Sequence, residues 1–292
     1  MNNSSEPSSD NFQIILIDMS VAGFVIIINV ATIIVTLSIK STDERLTTVI
    51  TSLSVADALV GLARIIKVIW LRYTPMEGCH FGEGLFIGLC TYFPGSVSQL
   101  HVVVLSVDRY LAVQYALTYS SMVTPRRLKL MVLSAWIIGA LETLIIHVFH
   151  HLECLQGNII FQQVWRILPV CQLCIIMMIN AVIYTKLWFI ARKHRRSISN
   201  MESRFHTGLS VTSNKANIMV LIIVVLFMLL WSPYVVTNII IVSSNNLSAG
   251  AIMVQDQVGV LGYANSVVNS FVYVVLNKQI REVMRKTCQC KS

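Results

Sequence analysis

The chain has 292 residues, of which 55% are hydrophobic and only 12% are charged, and its mean hydropathy is +0.70. Because about a quarter of the residues of a soluble domain are charged, this composition excludes a soluble globular protein and indicates an integral membrane protein. The formal net charge of +8 is explained by membrane topology and anionic lipid, and nucleic acid is not an expected partner.

Seven apolar runs are long enough to cross the bilayer, which takes roughly 20 helical residues. They lie near residues 18–39, 46–70, 81–107, 128–148, 164–190, 216–242 and 251–276. The sequence therefore predicts an all-α membrane protein with a seven-transmembrane helix bundle at residues 18–276. Residues 1–17 are predicted to form an outer N-terminus, and residues 277–292 a short amphipathic helix and tail.

Basic residues indicate the orientation of the bundle. With the N-terminus outside, the inner segments hold most of the cations, including the cluster at 192–196, whereas the outer segments hold little beyond Arg72. The positive-inside rule then predicts a multi-pass protein of the plasma membrane with an extracellular N-terminus and a cytoplasmic C-terminus. Residues 1–11 lack the features of a cleaved signal peptide. Three glycosylation sequons lie on the predicted outer side, at Asn2, Asn3 and Asn246.

Polar residues interrupt the first two predicted spans. Asn29 lies within the first span and Asp57 near the middle of the second. Both are expected to face the bundle interior, because an unpaired amide or carboxylate is costly in hydrocarbon, and a buried acid is a functional candidate. Further out on the second span, Arg64 and Lys67 are three residues apart and share a helix face. They either extend to the outer interface or line an outward pocket.

The third predicted span ends in Asp108, Arg109 and Tyr110. An arginine at mid-bilayer costs about 2.5–3.5 kcal/mol, so Arg109 must lie at a membrane face or in the protein interior. Asp108 is an available partner, and an ion pair that neighbouring helices make or break is a candidate switch. In the outer half of the fourth span, Glu142 is a candidate partner for Arg64 or Lys67.

The sixth span and the tail carry two further features. Pro233 removes a backbone hydrogen bond and bends the helix, so the region of Trp231 and Pro233 is a candidate hinge. After the seventh span, apolar residues recur at helical spacing opposite cations, which predicts an amphipathic helix on the inner leaflet. Cys288 and Cys290 just beyond it are candidate palmitoylation sites.

Seven spans with these residues in this order resemble the rhodopsin-like (class A) G-protein-coupled receptors, and the resemblance covers nearly the whole chain. The residues that carry it are Asn29, the run Leu53-Ser54-Val55-Ala56-Asp57, Asp108-Arg109-Tyr110, Trp136, Tyr184, Phe227 with Trp231-Ser232-Pro233, and Asn269-Ser270-Phe271-Val272-Tyr273. Each motif is weak alone, whereas together, on successive spans, they are specific.

The resemblance implies a receptor that transmits the binding of an extracellular ligand to a heterotrimeric G protein. In such receptors a sodium ion binds beneath Trp231, and no other cofactor is expected; the corresponding residues here are Asp57, Ser98, Asn265 and Asn269. On activation Arg109 would leave Asp108 and meet Tyr184 and Tyr273 while the sixth helix, with Phe227, Trp231 and Pro233, swings outward.

Several positions depart from the family pattern. Ser270 stands where the seventh helix usually has proline, and Ile176 where the fifth helix usually has one. Ser213 and Asn217 occupy the inner end of the sixth helix, where an acid would hold Arg109 in place, so appreciable basal signalling is expected. The cysteine at the top of the third helix is displaced to Cys79, and a disulfide between Cys79 and Cys154 is a candidate.

The ligand is less well determined by the sequence. The connecting loops and the missing fifth-helix proline look like the melanocortin, cannabinoid, lysophospholipid and adenosine branch, with the melanocortin receptors nearest. Lys67 lies where those receptors carry acids, which argues against a cationic peptide, and Thr91 stands where amine receptors carry an aspartate. An anionic or a lipid- or nucleoside-like small molecule is therefore favoured over an amine, and a melanocortin-like peptide receptor is the alternative. The candidate pocket residues are Arg64, Lys67, Thr91, Asn238 and Tyr263.

Two other classes of membrane protein compete with the receptor. A transporter or channel would use the intramembrane charges as a path, but the two halves of the chain show no internal repeat. An intramembrane protease would need paired catalytic aspartates or a His-Glu-x-x-His helix, and neither signature is present. No enzyme activity is therefore expected.

Overall fold

The computed structural model describes residues 9–38, 44–73, 80–199, 210–244, 249–276 and residue 281. Within these ranges there are no strands, and the elements are α1 (Ser9–Ser38), α2 (Glu44–Tyr73), α3 (Phe81–Gln114), α4 (Tyr119–Met122), α5 (Pro125–Gln156), α6 (Ile159–Ser199), α7 (Ser210–Ser244) and α8 (Ala249–Leu276). Seven of these helices are long, and α4 is one turn between α3 and α5. The predicted all-α membrane bundle is confirmed, while the predicted amphipathic helix lies, apart from residue 281, outside the described residues.

Most of the long helices extend beyond the predicted apolar runs. Hydropathy marks the length that faces hydrocarbon, whereas backbone hydrogen bonding continues into the membrane interface. In α5 the ends are fixed by local chemistry. The Thr124 side chain accepts a hydrogen bond from the Arg127 backbone N–H at 3.3 Å, and Pro125 occupies the first turn. Gly157 ends the helix with a φ of 61°, which a side chain would disfavour.

The helix α3 differs from the others in composition. Six of the described long helices are apolar enough to cross a membrane by length and composition alone, and α3 is not among them. It packs against α2, α5, α6 and α7, and its buried polar residues include Ser98, His101 and Asp108. Because these neighbours cover α3, its polar side chains meet protein rather than lipid.

A chain of hydrogen bonds joins α2, α3 and α5 inside the bundle. The indole Nε1 of Trp136 donates to Ser52 Oγ at 3.0 Å, and Ser52 Oγ lies 2.8 Å from His101 Nε2. His101 Nδ1 lies 2.8 Å from the Val97 carbonyl, which only accepts, so Nδ1 carries the proton and Nε2 accepts from Ser52. Every polar atom of this fully buried histidine ring is thereby satisfied.

Close packing of α1 on α2 depends on Gly61. A Cβ atom at this position would lie 2.8 Å from both the Ala22 carbonyl oxygen and Ile26 Cγ1. Small residues let helix backbones approach closely in membranes, where packing rather than hydrophobic exclusion drives association. Gly61 is therefore part of the α1–α2 interface.

We expect Gly61→Ala to destabilise the bundle by about 1–3 kcal/mol, because α1 must move to admit the methyl group. The measurement is the melting temperature of purified protein in nanodiscs. Gly23→Ala is the matched control, since nothing lies within 4 Å of a Cβ at that position. Equal melting temperatures for the two variants would contradict the assignment.

Candidate functional site

The Asp57 carboxylate joins three helices at the centre of the bundle. It is fully buried, and it accepts hydrogen bonds from Ser98 Oγ at 2.6 Å and Ser266 Oγ at 2.8 Å on Oδ1, and from Asn269 Nδ2 at 3.0 Å on Oδ2. The structure thus brings together Asp57, Ser98 and Asn269, as the resemblance implies. Sequence reasoning missed Ser266, although it precedes Asn269 by three residues and so shares its helix face.

The oxygen atoms of this cluster fit a sodium ion. Asn265 is buried, and within the described part of the chain its Oδ1 and the Oδ1 of Asn269 make no hydrogen bond. Amide oxygens, serine hydroxyls and one carboxylate are the ligands that a hard cation prefers. A bound sodium ion would neutralise Asp57, and Asp57, Ser98, Asn265 and Asn269 would hold it.

The helix α1 is tied to α8 beside this cluster. The Asn29 side chain donates to the Ser266 carbonyl at 3.1 Å and accepts from Ser270 Oγ at 2.7 Å. Ser270 stands where the family usually has proline, and its hydroxyl supplies a contact that proline cannot make. The amide of Asn29 is therefore satisfied inside the bundle, as an asparagine in a membrane span requires.

Arg109 lies buried near the C-terminal end of α3 and is paired with Asp108. Its Nε donates to Asp108 Oδ2 at 2.9 Å and a second guanidinium nitrogen contacts the same oxygen. The other carboxylate oxygen accepts from the Tyr119 hydroxyl at 2.6 Å, and the Arg45 guanidinium lies 4.8 Å from the Tyr119 ring centre. Burial, together with the hydrogen bond to Asp108, raises the pKa of Tyr119 to about 12, so its hydroxyl stays protonated and donates.

The predicted switch includes Tyr184 and Tyr273, whose hydroxyl groups lack a regular hydrogen bond in the described part of the structure. The Tyr273 hydroxyl is fully buried and makes no hydrogen bond to any described residue. The Tyr184 hydroxyl lies near Ser106 without a hydrogen bond of regular geometry. A buried hydroxyl without a partner costs about 1–3 kcal/mol, so a conformation that supplies a donor or acceptor gains stability. Tyr110 is half-buried, with the Lys186 ammonium 5.9 Å from its ring centre.

The predicted hinge lies in the middle of α7. Phe227 is fully buried and its ring centre lies 6.5 Å from that of Trp231. Pro233 leaves the Leu229 carbonyl without its helical donor, and the Ser232 hydroxyl donates to that carbonyl at 3.1 Å instead. A Cβ at Gly262 would lie 2.7 Å from the Trp231 ring, so α8 leaves room for the indole.

A cavity lies between α3, α5, α6, α7 and α8, on the side of Trp231 away from the Asp108–Arg109 pair. It holds about 570 Å³ of space, open solvent included. The described lining residues include the aromatic side chains Tyr92, Trp231, Tyr234 and Tyr263 and the polar side chains Ser96, Gln99, Glu142 and Gln172. A mostly apolar cavity with a few convergent polar groups is the usual form of a small-molecule site.

Of the predicted pocket residues, only Tyr263 is among the described residues that line this cavity. Arg64 forms an ion pair with Asp18 of α1, with Nε at 2.8 and 2.9 Å from the two carboxylate oxygens, and its guanidinium stacks 4.6 Å from the Tyr263 ring centre. Asn238 donates to the Tyr234 carbonyl and accepts from Gln255. Lys67 is half-buried, and the side chain of Thr91 lies outside the described part.

The predicted pairing of Glu142 with Arg64 or Lys67 is wrong. The Glu142 carboxylate accepts from Ser96 Oγ of α3, and Ser96 Oγ accepts in turn from the Gln172 amide of α6 at 2.8 Å. Sequence reasoning missed Asp18, the first residue of the first predicted apolar run, which pairs with Arg64. An acid at the start of an apolar run is the signal that should have been used.

Cys154 is disulfide-bonded, while Cys79, its predicted partner, lies outside the described residues. The sequons at Asn2, Asn3 and Asn246 and the palmitoylation candidates Cys288 and Cys290 lie outside them as well.

Comparison with known proteins agrees with this geometry. Residues 28–273 match the family model described as 7 transmembrane receptor (rhodopsin family). The chain belongs to the rhodopsin-like family of seven-transmembrane receptors. Membership confirms a multi-pass membrane receptor rather than an enzyme, and it removes the transporter alternative.

Individual relatives of the receptor are distant. The histamine H2 receptor of Rattus norvegicus is 28% identical over 257 residues, covering 83% of this chain and 70% of the relative. The trace amine-associated receptor 13c of Danio rerio is 26% identical over 80% of this chain and 73% of the relative. The probable G-protein coupled receptor 21 of Homo sapiens is 25% identical over 81% and 72%.

We expect sodium to stabilise the purified receptor through Asp57. At a sodium concentration tenfold above Kd, binding adds about 1.4 kcal/mol, so exchanging sodium chloride for potassium chloride at constant ionic strength lowers the melting temperature. Asp57→Asn removes this difference, whereas Glu153→Gln at the end of α5 retains it. A wild-type receptor that melts at the same temperature in both salts would refute the sodium site.

Proposed function

We propose that this receptor transmits the binding of an extracellular small molecule to a cytoplasmic heterotrimeric G protein. The observation that carries the proposal is the buried pair of Asp108 and Arg109 at one end of the bundle, together with two buried tyrosine hydroxyls, those of Tyr184 and Tyr273, that make no hydrogen bond to a described residue. The ligand cavity lies on the other side of Trp231 in the same bundle. Signal transmission requires a bundle with two conformations, whose balance is shifted by binding at either end.

Arg109 is the moving part of the proposed switch. In the active state its guanidinium leaves Asp108 and meets the hydroxyls of Tyr184 and Tyr273, which gain the partners they lack. The inner half of α7 swings about Pro233, where a side-chain hydrogen bond from Ser232 replaces the rigid backbone bond. The ligand and the G protein both bind this state better, so each raises the affinity for the other.

The orientation follows from the distribution of charge. We place the N-terminus, residues 1–17, outside the plasma membrane and residues 277–292 in the cytoplasm, because the basic segments lie on the inner side. The seven-helix unit of residues 18–276 would contain both the ligand cavity and the G-protein cleft.

The structure changes the balance between ligand classes. Arg64 and Lys67 favour an anionic ligand on sequence grounds, but Arg64 already pairs with Asp18, which weakens that preference. The melanocortin, cannabinoid, lysophospholipid and adenosine branch stays a prediction, as does the melanocortin-like peptide alternative. Two of the relatives are named as receptors for histamine and for trace amines, which supports a small amine.

The test of the function is a G-protein dissociation panel in cells that express the receptor. Because α7 offers no acid to hold Arg109, we expect output that rises with receptor expression before any ligand is added. Arg109→Ala at matched surface expression should abolish this output. If surface-expressed receptor changes the state of no G protein in the panel, the proposal fails.

Tyr119→Phe should raise this basal output. The variant removes the hydrogen bond that orients Asp108, and a bond to a charged group contributes about 1.5–3 kcal/mol when buried and less here, where Tyr119 is half-buried. We expect an increase of about two- to fivefold in the same assay. Tyr115→Phe is the control, since Tyr115 is exposed in the same loop. Unchanged basal G-protein output from Tyr119→Phe would show that Tyr119 takes no part in the switch.

A further inference from the structure

The ligand cavity contains one acidic side chain and no basic one among its described lining residues. The acid is Glu142, in the outer half of α5. It lies within a membrane span, where an ionisable side chain is expensive and needs a specific partner. The Glu142 carboxylate therefore requires a group that stabilises its charge.

Polar neighbours satisfy Glu142 only in part. Ser96 Oγ donates to it, and the Gln172 amide donates to Ser96 Oγ at 2.8 Å, so α3, α5 and α6 converge on the carboxylate. These groups are neutral. No Lys, Arg or His of the described chain lies within ion-pairing distance of Glu142, and Arg64 is engaged by Asp18.

Four aromatic side chains share the cavity with this carboxylate: Tyr92, Trp231, Tyr234 and Tyr263. A desolvated cation is attracted to the face of an aromatic ring, most strongly when water is excluded. A carboxylate that lacks a cation, in a cavity walled by aromatic rings, matches a ligand that brings the positive charge with it.

We propose that the cavity binds a small organic cation and that Glu142 is its counter-ion. This inference rests on the proposed function, because it names the ligand class of the same receptor site. Thr91 is neutral at the position where amine receptors carry their aspartate, so the negative charge comes from α5 instead of α3. Ser96 orients the carboxylate by donating a hydrogen bond to it, and Gln172 orients Ser96 in turn.

The first test is binding to purified receptor in nanodiscs, followed as a rise in melting temperature at pH 7.4. The probes are 2-phenylethylamine, 2-phenylethanol and phenylacetate, which share one ring and differ in charge. We expect only the cationic probe to stabilise the wild-type receptor. Stabilisation by none of the probes, or preferential stabilisation by the neutral or the anionic one, overturns the inference.

The second test is substitution of the carboxylate. Glu142→Gln preserves the shape and the hydrogen bonds but removes the charge, so the affinity for 2-phenylethylamine should fall about 100-fold or more. Glu142→Asp, which keeps the charge, should retain the preference for the cation. Glu83→Gln, at an acid of α3 that is not among the lining residues, should bind like wild type. Equal affinity in wild type and Glu142→Gln would mean that the side chain is neutral and would overturn the proposal.

G-protein dissociation measured in parallel separates the two proposals. Binding of the amine that depends on Glu142, without any G-protein response, would support the cation site and refute the proposed function. If Glu142→Gln keeps its basal G-protein coupling and binds the amine as tightly as wild type, the cation site is refuted and the proposed function is supported. The basal output of Glu142→Gln also shows that the variant is folded.

Discussion

The bundle depends on keeping the Asp57 carboxylate satisfied away from water. Its three donors come from α3 and α8, so the second, third and last long helices cannot separate without exposing a charged or polar group to hydrocarbon. The neighbouring bonds from Asn29 to α8 extend the same constraint to α1. Hydrophobic exclusion cannot hold helices together in lipid, and these hydrogen bonds with close packing do so instead.

The same rule applies to the residues of the proposed switch. The hydroxyls of Tyr184 and Tyr273 are buried and make no hydrogen bond to a described residue, whereas Asp108 is held by both Arg109 and Tyr119. In α7 the carbonyl freed by Pro233 is bonded by a side chain, Ser232, that can exchange partners more readily than a backbone N–H. The hydrogen bonds are therefore complete around Asp57 and incomplete at the two tyrosines, which is the arrangement that the proposed two-state switch requires. In that proposal, a ligand in the cavity beside Trp231 shifts the balance between the two conformations.

Much of this was accessible from the sequence. Apolar runs of sufficient length gave the seven helices, and polar residues inside them, such as Asn29, Asp57 and Arg109, identified the positions that must face the interior. The helix α3 shows the limit of hydropathy, because its surroundings are protein and its composition is correspondingly polar. Helix ends were also underestimated, since hydrogen bonding continues past the hydrocarbon.

What the sequence determined by itself is the class of protein and the list of polar side chains that need partners. Which partner each one finds was decided by the tertiary structure: Asp18 rather than Glu142 for Arg64, Ser266 in addition to Ser98 and Asn269 for Asp57, and Ser96 with Gln172 for Glu142. The physical reason is that each polar side chain in a membrane span needs a hydrogen-bond partner, and the sequence shows this need for every residue separately. Whether a partner is within reach depends on the distances between helices that are far apart in the chain. A spacing along one helix sets which face a side chain occupies, and only the packing of seven helices sets what lies opposite it.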